Sequence, residues 1–70
     1  MIEMKSIVSS NISKVGYDIE RQELIIEFKS GNKYRYSNVP VEVYEGILVA
    51  QSPGKYIRAN VVGSYSYSKE

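Results

Sequence analysis

Two alternating runs joined by a turn of small polar residues constrain this chain more than anything else in it. Leu24-Ile25-Ile26-Glu27-Phe28-Lys29 places Leu24, Ile26 and Phe28 on one side of an extended strand and Ile25, Glu27 and Lys29 on the other. Lys33-Tyr34-Arg35-Tyr36 repeats the two-residue period, so that Tyr34 and Tyr36 join the apolar side. Between the runs, Ser30-Gly31-Asn32 forms a compact turn in which Gly31 and Asn32 can both take positive φ. The pattern predicts a hairpin, and a hairpin with one apolar face must bury it against another layer.

The rest of the chain supplies that layer. Ile12 to Ile19 alternates after its first residue, with Val15, Tyr17 and Ile19 on one face and Lys14, Gly16 and Asp18 on the other, which predicts a strand ahead of the polar turn 20–23. Residues 1–11 hold Ile7-Val8 as their apolar pair, and Ser9-Ser10-Asn11 is a polar break; a tether or an edge strand is expected there. Pro40 opens a helical pattern in which Val41, Tyr44 and Leu48 share a stripe, with Val43, Ile47 and Ala50 at neighbouring offsets. Gly46 inside that helix costs about 1 kcal/mol against alanine, which reads as close packing against another backbone, a helix of a partner chain being one candidate, or as simple tolerance, with packing the favoured reading. A second helix runs from Pro53 to about Val61, with Ile57 and Val61 on one side and Val62-Gly63 ending it. The expected fold is a single α+β domain over residues 1–70. It is a small antiparallel β-meander of about three strands packed against two helices, with a further terminal strand open to the tail.

Size limits what can hold such a domain together. Seventy residues bury only about 60% of the unfolded surface. The chain has no cysteine for a disulfide and no histidine, so the usual zinc ligands are missing. Packing or a second copy must supply the stability, and a two-fold homodimer is the leading expectation. Histidine and cysteine are also the commonest bases and nucleophiles, and there is no phosphate-binding glycine loop or carboxylate pair in a catalytic pattern. The expectation is a non-enzyme with no metal and no cofactor. No apolar run reaches about eighteen residues, and Met1-Ile2-Glu3-Met4-Lys5 has neither a basic start nor an apolar centre. A cytoplasmic location is expected.

Charge is balanced in total, with nine basic and eight acidic residues, but not in its distribution. From Gly46 to Lys69 there is no acid, while Lys55, Arg58 and Lys69 stand there. Lys14, Lys29, Lys33 and Arg35, with Asp18 and Glu27 among them, read as a solvated outer sheet face or a basic docking face.

The candidate site lies in the acid-free third. Ser52 suits a helix N-cap, Pro53 the first helical position, and Gly54 leaves the next peptide bare. An anion there would meet free amides and the positive end of the helix dipole, with Lys55 and Arg58 as cationic partners. The same string also serves as an ordinary entry into a helix. In Ser64-Tyr65-Ser66-Tyr67-Ser68 the two rings share one face of a strand, as core or interface packing, as a frayed end, or as a platform on which a base stacks.

Taken together, Ser9-Ser10-x-Ile12, Val15-Gly16-Tyr17-Asp18, Leu24 to Phe28 leading through Gly31 to Tyr34-x-Tyr36, Val39-Pro40 with Tyr44, and Ala50-x-Ser52-x-Gly54-x-Tyr56 resemble the KTSC domain over nearly the whole chain. That family is named for a domain at the C-terminus of some lysyl-tRNA synthetases and also occurs as small free-standing proteins of bacteria and phages. The resemblance implies a compact α+β unit, no established catalysis and an RNA-related role through the synthetase context. This chain departs from the family by placing Ile57 and Arg58 after Tyr56, where an aromatic and an asparagine are common. Arg58 adds a planar guanidinium suited to phosphate.

These readings predict a binding module for a phosphate-bearing ligand, a small nucleotide or single-stranded RNA. Ser52, Gly54, Lys55, Tyr56, Arg58, Tyr65 and Tyr67 are its candidate residues. In a phage member, the nucleotide version would sequester a defence signal. The alternative is a structural or adaptor homodimer whose tyrosine-rich surface binds a protein.

Overall fold

The computed structural model describes residues 2–70; Met1, the first residue of the expected tether, lies outside them. Five strands and two helices follow in the order β1 (Met4–Ser6), β2 (Ile12–Asp18), β3 (Glu23–Phe28), β4 (Lys33–Tyr36), α1 (Val41–Val49), α2 (Pro53–Asn60) and β5 (Tyr67–Lys69). The strands form one antiparallel sheet in the order β1-β2-β3-β4-β5. The α+β meander therefore exists with a strand at each flank, the tether being an edge strand and the tail supplying the terminal one.

Period-two burial explains the central strands. Val15, Leu24, Ile26 and Tyr36 are buried on the inner face, where Ile47 of α1 and Ile57 of α2 close over them together with Val39 and Val61. Ile12 joins this core because a bulge between Ile12 and Lys14 shifts the register, so that one extra residue separates it from Val15. Ile25 is also buried, on the opposite face, between Gly16 and Arg35. Beside it, a Cβ on Gly16 would collide with Met4 and Ile2, so the glycine lets the first strand lie close.

Several expectations are corrected. Ile19 is 73% exposed, because β2 stops at Asp18, whose carboxylate accepts the Glu20 and Arg21 amides and turns the chain. In the β3–β4 turn only Gly31 is left-handed, at φ 98°, and Asn32 is not. There, the Phe28 amide donates to the Asn32 carbonyl and the Gly31 amide to the Phe28 carbonyl, a geometry that needs one such residue. Lys29 belongs to this turn rather than to the strand. Leu48 is partly exposed and Ala50 lies beyond the last turn of α1, so the burying face of that helix is Val43, Tyr44 and Ile47.

Two further locks were not visible in the pattern. Tyr17 donates its hydroxyl to the Val39 carbonyl and stacks on Tyr44, with ring centroids 5.4 Å apart. Arg35 on the outer face reaches Glu23 at 2.8 Å and Glu70 at 3.1 Å, joining β3, β4 and the residue after β5. The cross-strand charge pairing expected for the outer face is thus concentrated at one guanidinium.

Candidate functional site

The N-terminus of α2 opens into a groove of about 240 Å³. One wall is Ser52, Gly54, Lys55 and Arg58; the other is the Val8–Asn11 loop, with Phe28 and Ile57 among the apolar lining. Pro53 at the first helical position is buried and fixes the entry of the helix. Ser52 stands at the N-cap, yet its hydroxyl makes no capping bond, contrary to the expected role. Its carbonyl accepts the Tyr56 amide at 3.0 Å, the first bond of the helix. The amides of Gly54 and Lys55 have no acceptor in the chain among the described residues. Four first-turn amides lack intrahelical acceptors in any helix, and here proline removes one of them.

The opposite wall is built by a side chain read only as a polar break. Ser9 accepts the amides of Asn11 and Ile12 on its hydroxyl oxygen, both at 3.3 Å, which curls the loop. The Asn11 carbonyl in turn accepts the Lys29 amide at 2.8 Å and ties the loop to the β3–β4 turn. A Cβ on Gly54 would stand 3.0 Å from Ser9 Oγ, so glycine leaves room between the walls. Sequence reasoning missed Ser9, Asn11 and Phe28 as groove residues. The signal that existed was the serine-rich break itself, since serine side chains favour such local turns.

Electrostatically the groove is cationic. Lys55 and Arg58 are exposed, and neither enters an ion pair among the described residues. Arg58 lies in the last turn of α2, where a cation also suits the helix dipole. Among the described residues no group of three or more acidic, histidine or cysteine side chains gathers where a metal ion could bind.

The other expected site residues go elsewhere. Tyr56 points away from the groove and packs on Gly46, so its ring belongs to the α1–α2 contact. Tyr65 precedes β5 and packs half-buried against the core. Tyr67 is in β5, where it meets Tyr34 and Tyr36 at centroid distances of 5.5 and 5.4 Å and remains 62% exposed. Ser52, Gly54, Lys55 and Arg58 are thus brought together, while the three tyrosines stand outside the groove.

Comparison with known proteins places this architecture. The chain is similar to an uncharacterised protein of Stutzerimonas stutzeri, 48% identical over 48 residues that cover 69% of this chain and 68% of that protein. It is also similar to a lysine–tRNA ligase of Trichormus variabilis, 35% identical over 60 residues, which cover 86% of this chain but only 11% of the ligase. The crystal structure of a KTSC domain protein from Yersinia pestis superposes with a TM-score of 0.96 at 26% identity, covering 100% of this chain and 99% of that one. The sequence profile of the KTSC domain matches residues 8–65, a span that holds the central meander, both helices and both walls of the groove, and the chain belongs to the KTSC domain family.

Proposed function

We propose that this KTSC domain is a non-catalytic binding module that takes a phosphate-bearing ligand, a small nucleotide or a short stretch of single-stranded RNA, in the groove between the Val8–Asn11 loop and α2. The observation that carries this reading is the convergence of two amides without a chain acceptor with Lys55 and Arg58 on one wall of a groove. Amides aimed along a helix dipole stabilise an anion, and the two cations add charge-assisted hydrogen bonds. Phe28 and Ile57 supply apolar surface beside this polar wall. The likeness to lysine–tRNA ligases supports an RNA context, because a similar stretch forms 11% of proteins whose name says that they act on a transfer RNA.

Isothermal titration with adenosine nucleotides and short unstructured RNA tests the reading. Binding that disappears in a folded Lys55→Ala, Arg58→Ala double variant supports it. Absence of heat from every ligand at millimolar concentration overturns it.

A second reading is a homodimer used as an adaptor, favoured by the exposure of Val8 at 92% and Val49 at 83%. Sedimentation separates the two: a dimer that ignores nucleotides supports the adaptor, and a monomer that binds them supports the module.

A further inference from the structure

A row of aromatic rings leads away from the groove at Phe28. The Phe28 ring meets Tyr34 at a centroid distance of 5.4 Å and 70°, and Tyr34 meets Tyr67 at 5.5 Å and 68°, so three rings run in contact across β3, β4 and β5. The row begins in the groove lining and finishes at an exposed ring on the last strand. Packing alone explains Tyr36, which is 4% exposed, but Tyr67 is left largely in solvent although it closes the row.

Charge along the row is one-sided. Lys69 pairs in register with Tyr34 and so shares its face, and Lys29 stands in the turn that is bonded to the groove loop. No acid occurs from Gly46 to Lys69. Glu70, the next residue, turns to the opposite face and is held by Arg35. A basic or purely apolar partner gains nothing from those lysines. A chain of alternating phosphates and flat bases fits it, because bases stack on aromatic rings whatever their sequence and the phosphates meet lysines beside them.

We propose that Phe28, Tyr34 and Tyr67 form a base-stacking track that continues the groove, so that the ligand is a single RNA strand with a phosphate at the α2 amides and about two or three bases along the track, as sheet-borne aromatics take in other folds. The proposal rests on the phosphate-binding reading and extends it from one phosphate to a strand. It assigns a direction, from the α2 end toward β5. Phe28 and Tyr34, which the sequence pattern marked only as inner-face residues, become contact residues.

The test is a length series, uridine and adenosine monophosphates and then unstructured oligomers of two to six nucleotides, titrated by fluorescence anisotropy competition or calorimetry. Affinity should rise with each added nucleotide and level off at about three. Tyr67→Leu, which keeps apolar packing, should weaken the trinucleotide about ten-fold, whereas Tyr67→Phe should keep most of its affinity. Circular dichroism melts establish that both variants remain folded. Equal affinity for a monophosphate and a hexamer, with Tyr67→Leu indifferent, overturns the track and leaves the phosphate groove standing. No binding by any member overturns both. A Tyr67→Leu variant that instead loses a dimer assigns the ring to an interface and also overturns the track.

Discussion

The phenol of Tyr56 on α2 occupies the space that a Cβ on Gly46 of α1 would need, so the two helices meet through a gap and the ring that fills it. In an unconstrained helix interior, alanine would be better than glycine by about 1 kcal/mol. Here Gly46→Ala should lower stability by about 1–3 kcal/mol, because the ring must leave its position. In a Tyr56→Ala background the same change should become neutral or stabilising. Urea melts of the four proteins measure the coupling directly. A wild-type chain stabilised by Gly46→Ala would contradict the contact.

Arg35 holds Glu23 and Glu70 on one guanidinium, and these two bonds raise its pKa above the ordinary arginine value. Glu23 is the more sheltered acid and Glu70 the more exposed, so solvent screens the second pair more. Glu23→Gln should cost about 1 kcal/mol and Glu70→Gln about 0.5 kcal/mol or less. Arg35→Gln should also loosen β5, which hydrogen exchange at the Ser68 amide would report. Protection there that survives the substitution would show that backbone pairing alone keeps the last strand in place.

Alkali should unfold the domain. Burial is the main cause that raises the Tyr17, Tyr36 and Tyr44 phenols above their ordinary value, with Glu42 and Asp18 adding at Tyr17, Tyr67 and Tyr34 at Tyr36, and Glu3 at Tyr44. The native state thus keeps its phenol protons to higher pH than the unfolded chain does. Stability is full below about pH 10, the unfolded value, and falls as pH rises above it. Phenolate absorbance and far-ultraviolet ellipticity should change together above that point. A gradual titration with ellipticity unchanged would show that the three rings ionise within an intact fold.

Lys55→Ala and Arg58→Ala should each change stability by no more than about 0.5 kcal/mol, since both side chains are exposed and neither is paired among the described residues. Their loss should instead appear in the salt dependence of ligand affinity. For a single strand, each phosphate contact removed should reduce the slope of log affinity against log salt by about 0.7. Thermal melts and titrations at three ionic strengths check both statements.

How far the sequence could be read follows from which forces are local. Leu24, Ile26 and Phe28 announce their face because alternation is a property of one strand, and Pro53-Gly54 announces a helix entry because capping is a property of one turn. Ile12 escaped the alternation because a bulge shifts its register, and nothing in Ile12-Ser13-Lys14 alone marks that extra residue. Tyr56 falls outside the groove because the choice between groove and helix contact depends on Gly46, ten positions earlier, across a loop. Tyr65 and Tyr67 share a sequence pattern yet separate, one against the core and one in solvent, because β5 starts only at Tyr67. One wall of the groove was legible for the same reason: Ser52, Gly54, Lys55 and Arg58 belong to one helix and its N-cap, whereas Ser9, Asn11 and Phe28 come from distant segments.

The sheet ends in two open rims, β1 and β5, and each spans only three residues. Unpaired strands at the margin of a sheet invite another chain to add itself, and the invitation weakens as the margin shortens. So brief a seam, with Lys5 on one rim and Lys69 on the other, gives an incoming strand few amides to grip and like charge to meet. Shortness and charge thus limit strand addition at both rims without the sheet being closed into a barrel.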